Sequence, residues 1–359
     1  MGCCDKPFSL SEPPESGVAP PLPPVDRRSL LKGAAAGVIA AASVGNAGAA
    51  QAAAGKHIKL AFCSQLLCVV PYEVARAGGH FGNAGLDVEL VYTRGGNAAM
   101  QALVGGAVDY AATSLDVALQ AYGHGADIRR FATTGRLPLF ALATAPKRAA
   151  EIKDIADLKG RTVGVSALGN ADHALLLNLL RGAGVAATQV QFATLGPNLL
   201  EALRQGQVDA GLVQEPALTL VEKAGGRVLV NAMNNEDAQK YLGGPYEFMG
   251  VAVRTTEIPA RRDEMTALAG ALQAALRATR AASPEDLAKA LPRELTAGAD
   301  MGELRDVLGR YRDSLYPTEV AIDLSASNRV AETLKTAGLL KPDTDTSGLY
   351  DTSIAARAG

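Results

Sequence analysis

The sequence predicts an α/β protein of two similar doubly wound lobes that are joined by two crossing strands. Short runs rich in Val, Ile, Leu and Ala alternate with amphipathic segments of about 10–15 residues, which is typical of βαβ units and a mostly parallel sheet. The same order of segments occurs twice along the chain. Two extended apolar runs without an internal tight turn connect the repeats, and we interpret them as the crossing strands.

The first repeat alternates strictly between predicted strands and predicted helices. Starting with a strand, its elements lie at 57–63, 72–79, 86–92, 98–104, 108–113, 115–122 and 128–134. Four later segments show the apolar spacing of helices, at 260–282, 283–290, 301–314 and 322–337. Ser283 followed by Pro284 is typical of a helix cap with proline at the first helical position.

The duplication is visible in the residues themselves. Residues 100–109 (MQALVGGAVD) align with residues 200–209 (LEALRQGQVD), and Ala, Leu, Gly, Val and Asp are shared. A repeat of about one hundred residues is too long for a solenoid unit of 20–50 residues, so two lobes are the simpler interpretation. Asp109 and Asp209 precede a strand at equivalent positions, and we assign them to turn structure rather than to ligand contact.

The crossing strands are predicted at 139–145 and 248–254. The chain then divides into lobe one, residues 55–139 plus 250–359 with the C-terminal helices, and lobe two, residues 140–249. Two lobes joined in this way can open and close about the crossings, which suits the enclosure of a ligand.

Residues 1–54 differ in composition from the rest and are predicted to be a signal peptide with a disordered, Pro-rich start. Arg27-Arg28 and the small apolar run 33–44 resemble a twin-arginine export signal. The run is too short to cross a bilayer, which needs roughly 20 residues, and Ala-x-Ala triplets follow it, as in a cleavable leader. The alternative is a Gly/Ala-rich tail. We expect a soluble product in the periplasm.

Composition excludes several classes of protein. Lys+Arg 35 against Asp+Glu 37 leaves a net charge of −2, which offers no positive field for nucleic acid. The histidines are scattered, so we expect no metal site, and no motif indicates a cofactor. Cys63 and Cys68 lie five residues apart; they either form a disulfide in an oxidising compartment or remain two thiols.

A set of short segments carries a family resemblance through its order and spacing. The chain is similar to the solute-binding proteins of nitrate/sulfonate/taurine-type ABC importers, which share a domain with thiamine-pyrimidine binding proteins. The segments are GLDVELV (85–91), GGN (95–97), GAVDYA (106–111), IADLKGRTVGV (155–165), GQVDA (206–210), QEPA (214–217) and GRVL (226–229).

The resemblance implies a type II periplasmic binding protein. Such a protein captures a small solute between its lobes and delivers it to an ABC permease with its ATPase subunit. We expect a monomer that binds a small organic anion, namely a sulfonate, a taurine-like compound or a carboxylate. The alternative ligand is a thiamine-precursor pyrimidine or an amine. A further alternative is an enzyme on this fold, similar to a desulfinase or a pyrimidine synthase, in which Cys63 or Cys68 imitates the desulfinase cysteine.

The chain has Trp 0, and Gln214 stands where many relatives carry Trp. Stacking on a flat ligand would therefore fall to one of four rings, those of Tyr72, Tyr92, Tyr246 and Phe140. The apolar residues of the first loop are expected to form a wall that favours an organic tail over nitrate. They are Leu66, Leu67, Val69 and Val70.

The ligand is expected at the carboxyl ends of the strands, where helix N-termini offer free N–H groups. In lobe one the candidates are Ser64, Gln65, Gly96, Asn97, Thr113 and Ser114. In lobe two they are Ser166, Asn170, Ala171, His173, Gln214 and Glu215. Small polar residues at these positions are also ordinary helix caps, as we expect for Asp116. Glu215 contacts either the ligand or the opposite lobe, and Arg136 either pairs with the anion or lies solvated at the surface.

Overall fold

The computed structural model describes residues 56–358, so the predicted leader lies outside the described residues. None of the helices in this part is both long and apolar enough to cross a membrane. The strands are β1 Lys56–Cys63, β2 Leu86–Thr93, β3 Tyr110–Ser114, β4 Ile128–Thr133, β5 Ala141–Thr144, β6 Thr162–Val165, β7 Gln191–Thr194, β8 Ala210–Val213, β9 Val228–Asn231 and β10 Met249–Arg254.

Helices connect these strands and form the C-terminal part of the chain. They are α1 Leu66–Ala77, α2 His80–Asn83, α3 Gly96–Val104, α4 Leu115–Gly123, α5 Ala171–Gly182, α6 Leu199–Gln205, α7 Ala217–Lys223, α8 Asn235–Asp237, α9 Ile258–Ala281, α10 Pro284–Ala290, α11 Arg293–Thr296, α12 Met301–Leu315 and α13 Leu324–Thr336. The predicted cap of α10 is confirmed, because the Ser283 side chain accepts a hydrogen bond from the backbone N–H of Asp286.

The strands form two sheets of five strands with the same topology. The orders are β2-β1-β3-β10-β4 and β7-β6-β8-β5-β9. In each sheet the first three strands are parallel, and the fourth is antiparallel to both of its neighbours. This antiparallel strand is a crossing strand in both cases: β5 follows β4 into the second sheet, and β10 follows β9 back into the first. The predicted fold class is confirmed.

The C-terminal helices pack against both halves of the molecule. α9 contacts α1 and α2, whereas α13 contacts α4 and α5. Side chains of α12 reach the second sheet, since the Asn231 amide donates to the Tyr311 hydroxyl at 2.9 Å. Helix α13 therefore connects elements of the two halves directly.

The predicted apolar wall in the first loop is wrong. Helix α1 begins at Leu66 and not near residue 72, so these residues belong to a helix. Leu67, Val69 and Val70 are buried in the core. The connection between β1 and α1 therefore consists of Ser64 and Gln65.

Candidate functional site

A cavity of about 70 Å³ lies between the two sheets, where the strands of both halves end. This is room for several water molecules or for the polar head of a small solute. Its wall is formed by Cys63, Gln65, Cys68, Arg94, Gly95, Gly96, Thr113, Ser114, Val117, Phe140, Ser166, Asn170, Ala171, Asp172, Gln214, Phe248 and Met249.

Four helices begin at this cavity. The residue that precedes the first turn is Gln65 for α1, Gly95 for α3, Ser114 for α4 and Asn170 for α5, and all four line the wall. Each helix start carries the positive end of a dipole. In α4 the backbone N–H of Leu115 donates to the carbonyl of Phe248 and that of Val117 to the Ser114 hydroxyl. Arg94 adds a full positive charge. The arrangement favours an anion.

The acidic residue in the wall is already engaged. Asp172 accepts hydrogen bonds from the backbone N–H of Ser166 and, at 2.8 Å, from its hydroxyl. The Asn170 amide donates to the same hydroxyl at 2.9 Å. Burial raises the pKa of Asp172, and the Ser166 hydrogen bonds oppose that shift. This network fixes the start of α5 against the end of β6.

Two hydrogen bonds cross the cleft between the halves. The Asn97 amide, on α3, donates to Oδ1 of Asn170 at 2.6 Å. The Gln120 amide, on α4, donates to the carbonyl of Gly169 at 2.9 Å. Both acceptors lie in the loop between β6 and α5. These contacts hold the cleft closed on the side of α3 and α4.

The apolar part of the wall comes largely from the crossings. Phe140 precedes β5 and Phe248 precedes β10, and their rings meet edge to face with centroids 6.1 Å apart. Of the four rings considered for stacking, Phe140 alone lines the cavity. Tyr72 and Tyr246 are buried, and their hydroxyls bond to Thr134 and Asp116. Tyr92 is exposed and packs on Phe62.

The cavity brings together most of the candidate residues predicted at the strand ends. Those in its wall are Gln65, Gly96, Thr113, Ser114, Ser166, Asn170, Ala171 and Gln214. Asn97 contributes through its bond to Asn170. Ser64 and Arg136 are exposed and lie outside the wall. The backbone N–H of Arg136 donates to the carbonyl of Leu315 at 2.6 Å, so this residue takes part in the crossing through its backbone.

His173 and Glu215 also lie outside this wall. The backbone N–H of Gly169 donates to Nδ1 of His173 at 3.2 Å, and burial lowers the pKa of this imidazole. Glu215 accepts from the backbone N–H and the hydroxyl of Thr219 at 3.1 and 2.9 Å. It lies 3.7 Å from Arg310, a residue of α12, and lines a neighbouring cavity of about 160 Å³. Local partners therefore engage Oε2 of Glu215 and Nδ1 of His173, whereas the buried Oε1 of Glu215 accepts no hydrogen bond.

Asp116 was expected to cap α4, and this is wrong. The capping side chain is that of Ser114, which accepts from the backbone N–H of Val117. Asp116 accepts from the Tyr246 hydroxyl at 3.1 Å. Burial raises the pKa of Asp116 to about 6. The carboxyl thus links α4 to the segment that leads into β10.

Sequence reasoning missed several residues of the wall. Arg94 directly precedes the Gly-Gly-Asn segment, and its position beside a predicted helix start was a usable signal. Phe248 and Met249 gave no such signal, because their apolar side chains are ordinary in a buried strand. They belong to the site because the start of the second crossing strand lies against the cavity in the folded chain.

Comparison with known proteins places the chain in a family. The family model described as NMT1/THI5 like matches residues 69–285. The chain belongs to the NMT1/THI5-like family. A curated protein of Escherichia coli (strain K12), named for aliphatic sulfonate binding, is 38% identical over 99 residues. That segment is 26% of this chain and 31% of the relative, so the match spans about a third of the relative's length.

Solved structures share the fold over most of the described chain. A protein of Bordetella bronchiseptica RB50 is 26% identical with a TM-score of 0.75, covering 84% of this chain and 96% of its own. The periplasmic aliphatic sulphonate binding protein SsuA of Escherichia coli is 21% identical with a TM-score of 0.63. The match covers 82% of this chain and 91% of the SsuA chain. The desulfurization enzyme DSZB is 16% identical with a TM-score of 0.62. The match covers 84% of this chain and 98% of the DSZB chain.

The NMT1/THI5-like family and its solved neighbours confirm the resemblance predicted from the short segments. The fold is that of periplasmic binding proteins. Since an enzyme shares this fold, the architecture alone is compatible with binding and with catalysis.

Proposed function

We propose that this protein is an extracytoplasmic solute-binding protein that captures a small organic anion between its two lobes. The observation that carries the proposal is the convergence of four helix N-termini, those of α1, α3, α4 and α5, on one cavity. Each contributes a positive dipole end, and together they favour an oxyanion. The described wall holds one acidic residue, Asp172, whose carboxylate already accepts from Ser166.

The ligand class follows from the mixed chemistry of the wall. Neutral donors and the Arg94 guanidinium suit a sulfonate, a taurine-like compound or a carboxylate. Phe140, Phe248 and Met249 offer an apolar surface, which an organic substituent can cover and a nitrate ion cannot. The curated relative named for aliphatic sulfonates supports the same class.

We further propose that the protein works in the periplasm, as a monomer, with an ABC permease and its ATPase subunit. The support is that structural neighbours are named as periplasmic binding proteins or as the ligand-binding component of an ABC-type import system. The twin-arginine leader predicted at residues 1–54 agrees with such a location.

Binding is favoured over the two alternatives. A pyrimidine or an amine would be favoured by a free carboxylate in this wall or by a broad aromatic face, whereas Asp172 is engaged and the two phenylalanines meet edge to face. Catalysis is represented among the structural neighbours by a desulfurization enzyme. A binding protein should release its ligand chemically unchanged, and that separates the two classes.

The test is calorimetric titration of the purified chain with methanesulfonate, taurine, benzoate, nitrate and a hydroxymethylpyrimidine. We expect an organic sulfonate or carboxylate to bind and to be recovered unaltered. Asn170→Asp should abolish binding, because it adds a negative charge at the start of α5. Asn198→Asp is the matched control, since Asn198 is exposed at the start of α6. Binding of the pyrimidine alone, or turnover of the ligand, would contradict the proposal.

A further inference from the structure

Two cysteine side chains meet in the wall of the anion cavity. Cys63 is the last residue of β1, and Cys68 lies in the first turn of α1. Their sulfur atoms are 2.9 Å apart. The two residues are 7% and 3% exposed, and both line the cavity. Both are free thiols in this structure.

The two thiols differ in their surroundings. Contact with the Cys68 thiol and with the backbone N–H of Gln65 lowers the pKa of Cys63, against the effect of burial. Contact with Cys63 and burial both raise the pKa of Cys68. Cys63 lies just before the start of α1 and is the more exposed of the two residues, at 7% against 3%. A reagent in the cavity therefore meets the Cys63 thiol first.

We propose that Cys63 and Cys68 form a reversible disulfide in the cavity wall by exchange with small-molecule disulfides, with Cys63 as the attacking thiol. The Cys63 thiolate attacks one sulfur of the reagent, which forms a mixed disulfide and releases the first thiolate. Cys68 then loses its proton and attacks the Cys63 sulfur, and the second thiolate of the reagent leaves. Two cysteines are oxidised, and one disulfide is reduced to two thiols.

The local geometry permits this bond. A disulfide needs an S–S distance of about 2.05 Å, so the sulfur atoms have to approach by roughly 0.9 Å. The intervening Ser64 and Gln65 are exposed and form a short connection between strand and helix. Cys63 lines the cavity, and we expect a reagent to reach its thiol from that side. The remaining cysteines of the sequence, Cys3 and Cys4, lie outside the described residues.

The test is peptide mapping of the full chain after treatment with oxidised glutathione or with dithiothreitol, followed by alkylation. Cleavage after Lys59 and Arg76 places both cysteines on one peptide, residues 60–76, apart from Cys3 and Cys4. We expect this peptide to lose two hydrogens and to resist alkylation after oxidation. It should become fully alkylated after subsequent reduction. Two alkylated cysteines, or two separate glutathione adducts, would overturn the disulfide.

The single variants test the order of attack. Cys68→Ser should accumulate a glutathione adduct on Cys63, at least several-fold faster than Cys63→Ser acquires one on Cys68. Equal rates would refute the role of Cys63 as the attacking thiol. If the serine variants fail to fold, the alkylation rates of the two cysteines in the reduced wild-type chain decide the same question. None of these readouts needs the solute, so they stand apart from the test of the proposed function.

Discussion

Asp109 and Asp209 make the same hydrogen bond in the two lobes. Oδ2 of Asp109 accepts from the backbone N–H of Lys59 at 2.7 Å, and Oδ2 of Asp209 accepts from that of Thr162 at 2.8 Å. In each case the donor belongs to the central parallel strand of the sheet. These contacts agree with the assignment of both aspartates to turn structure. The internal repeat therefore includes an equivalent hydrogen bond in each lobe.

Asp209→Ala should lower the free energy of unfolding by about 1–3 kcal/mol, because it leaves the Thr162 N–H without its acceptor. It also removes the contact with Arg148, whose Nε lies 2.8 Å from the carboxylate. Urea denaturation measures the change. Asp343→Ala, at an exposed position, is the control and should have a small effect. An unchanged midpoint for Asp209→Ala would show that the hydrogen bond is not stabilising.

Arg130→Met should cost about 3–5 kcal/mol of stability, because it leaves Glu247 buried without its cation. Both side chains are 1% exposed, and the closest N···O distance is 3.8 Å. Arg130 also donates to the carbonyls of Thr113 and Phe248, two residues of the cavity wall, at 3.2 and 2.8 Å.

Chemical denaturation tests this loss against Arg129→Met, at the more exposed neighbouring position. Replacing Arg130 and Glu247 together should recover part of the stability, since no unpaired charge then remains buried. If the double variant is no more stable than Arg130→Met, the cost does not come from the unpaired charge.

Asp116 should make stability depend on pH between about pH 4 and pH 6. Burial raises its pKa from 3.8 to about 6, so the folded chain binds a proton that the unfolded chain has already released. The stabilisation of the folded chain by this proton is fully present below pH 4 and is lost as the pH rises through 6. The Asp116→Asn variant has no carboxyl at this position, so its stability lacks this pH dependence.

The difference in unfolding free energy between Asp116→Asn and the wild type should therefore shift in favour of the variant by up to about 3 kcal/mol over this pH range. Above pH 6 this difference should stay constant. Urea denaturation of both proteins at a series of pH values measures the difference. A difference that does not vary from pH 4 to pH 7 would contradict the raised pKa.

Asn97→Ala should weaken ligand binding by roughly 2–10-fold, because the bond to Asn170 stabilises the closed cleft and contributes about 0.5–1.5 kcal/mol. Calorimetry with the solute that the wild-type chain binds measures the change. Asn83→Ala, at an exposed residue of α2, should leave the affinity unchanged. Equal affinities of the wild type and Asn97→Ala would mean that this contact does not contribute to closure.

The alternation of apolar runs and amphipathic segments was sufficient to predict two α/β lobes, because parallel strands buried on both faces must be apolar throughout. It was not sufficient to place the start of α1. The run from Leu66 to Val70 is continuously apolar and is followed by Pro71, so neither helical periodicity nor a cap marks it. Only packing against the rest of the core decides that this run is helical.

The polar ends of strands predicted most of the candidate site, but not which side chains face it. Glu215 and His173 stand at suitable positions in the sequence, yet Thr219 and Gly169, each four residues away, take up part of their hydrogen-bonding capacity. The Arg310 side chain beside Glu215 comes from a distant helix, and such a neighbour is not visible in the sequence.

The sequence by itself determined the repeated α/β pattern, the presence of helices after the strand ends and the family to which the chain belongs. The tertiary structure decided the walls of the cavity, from Phe248 of the second crossing to the meeting of Cys63 with Cys68. The physical reason is that hydrophobic periodicity and capping act over a few residues. The cavity instead depends on contacts between elements that only the crossing strands bring together.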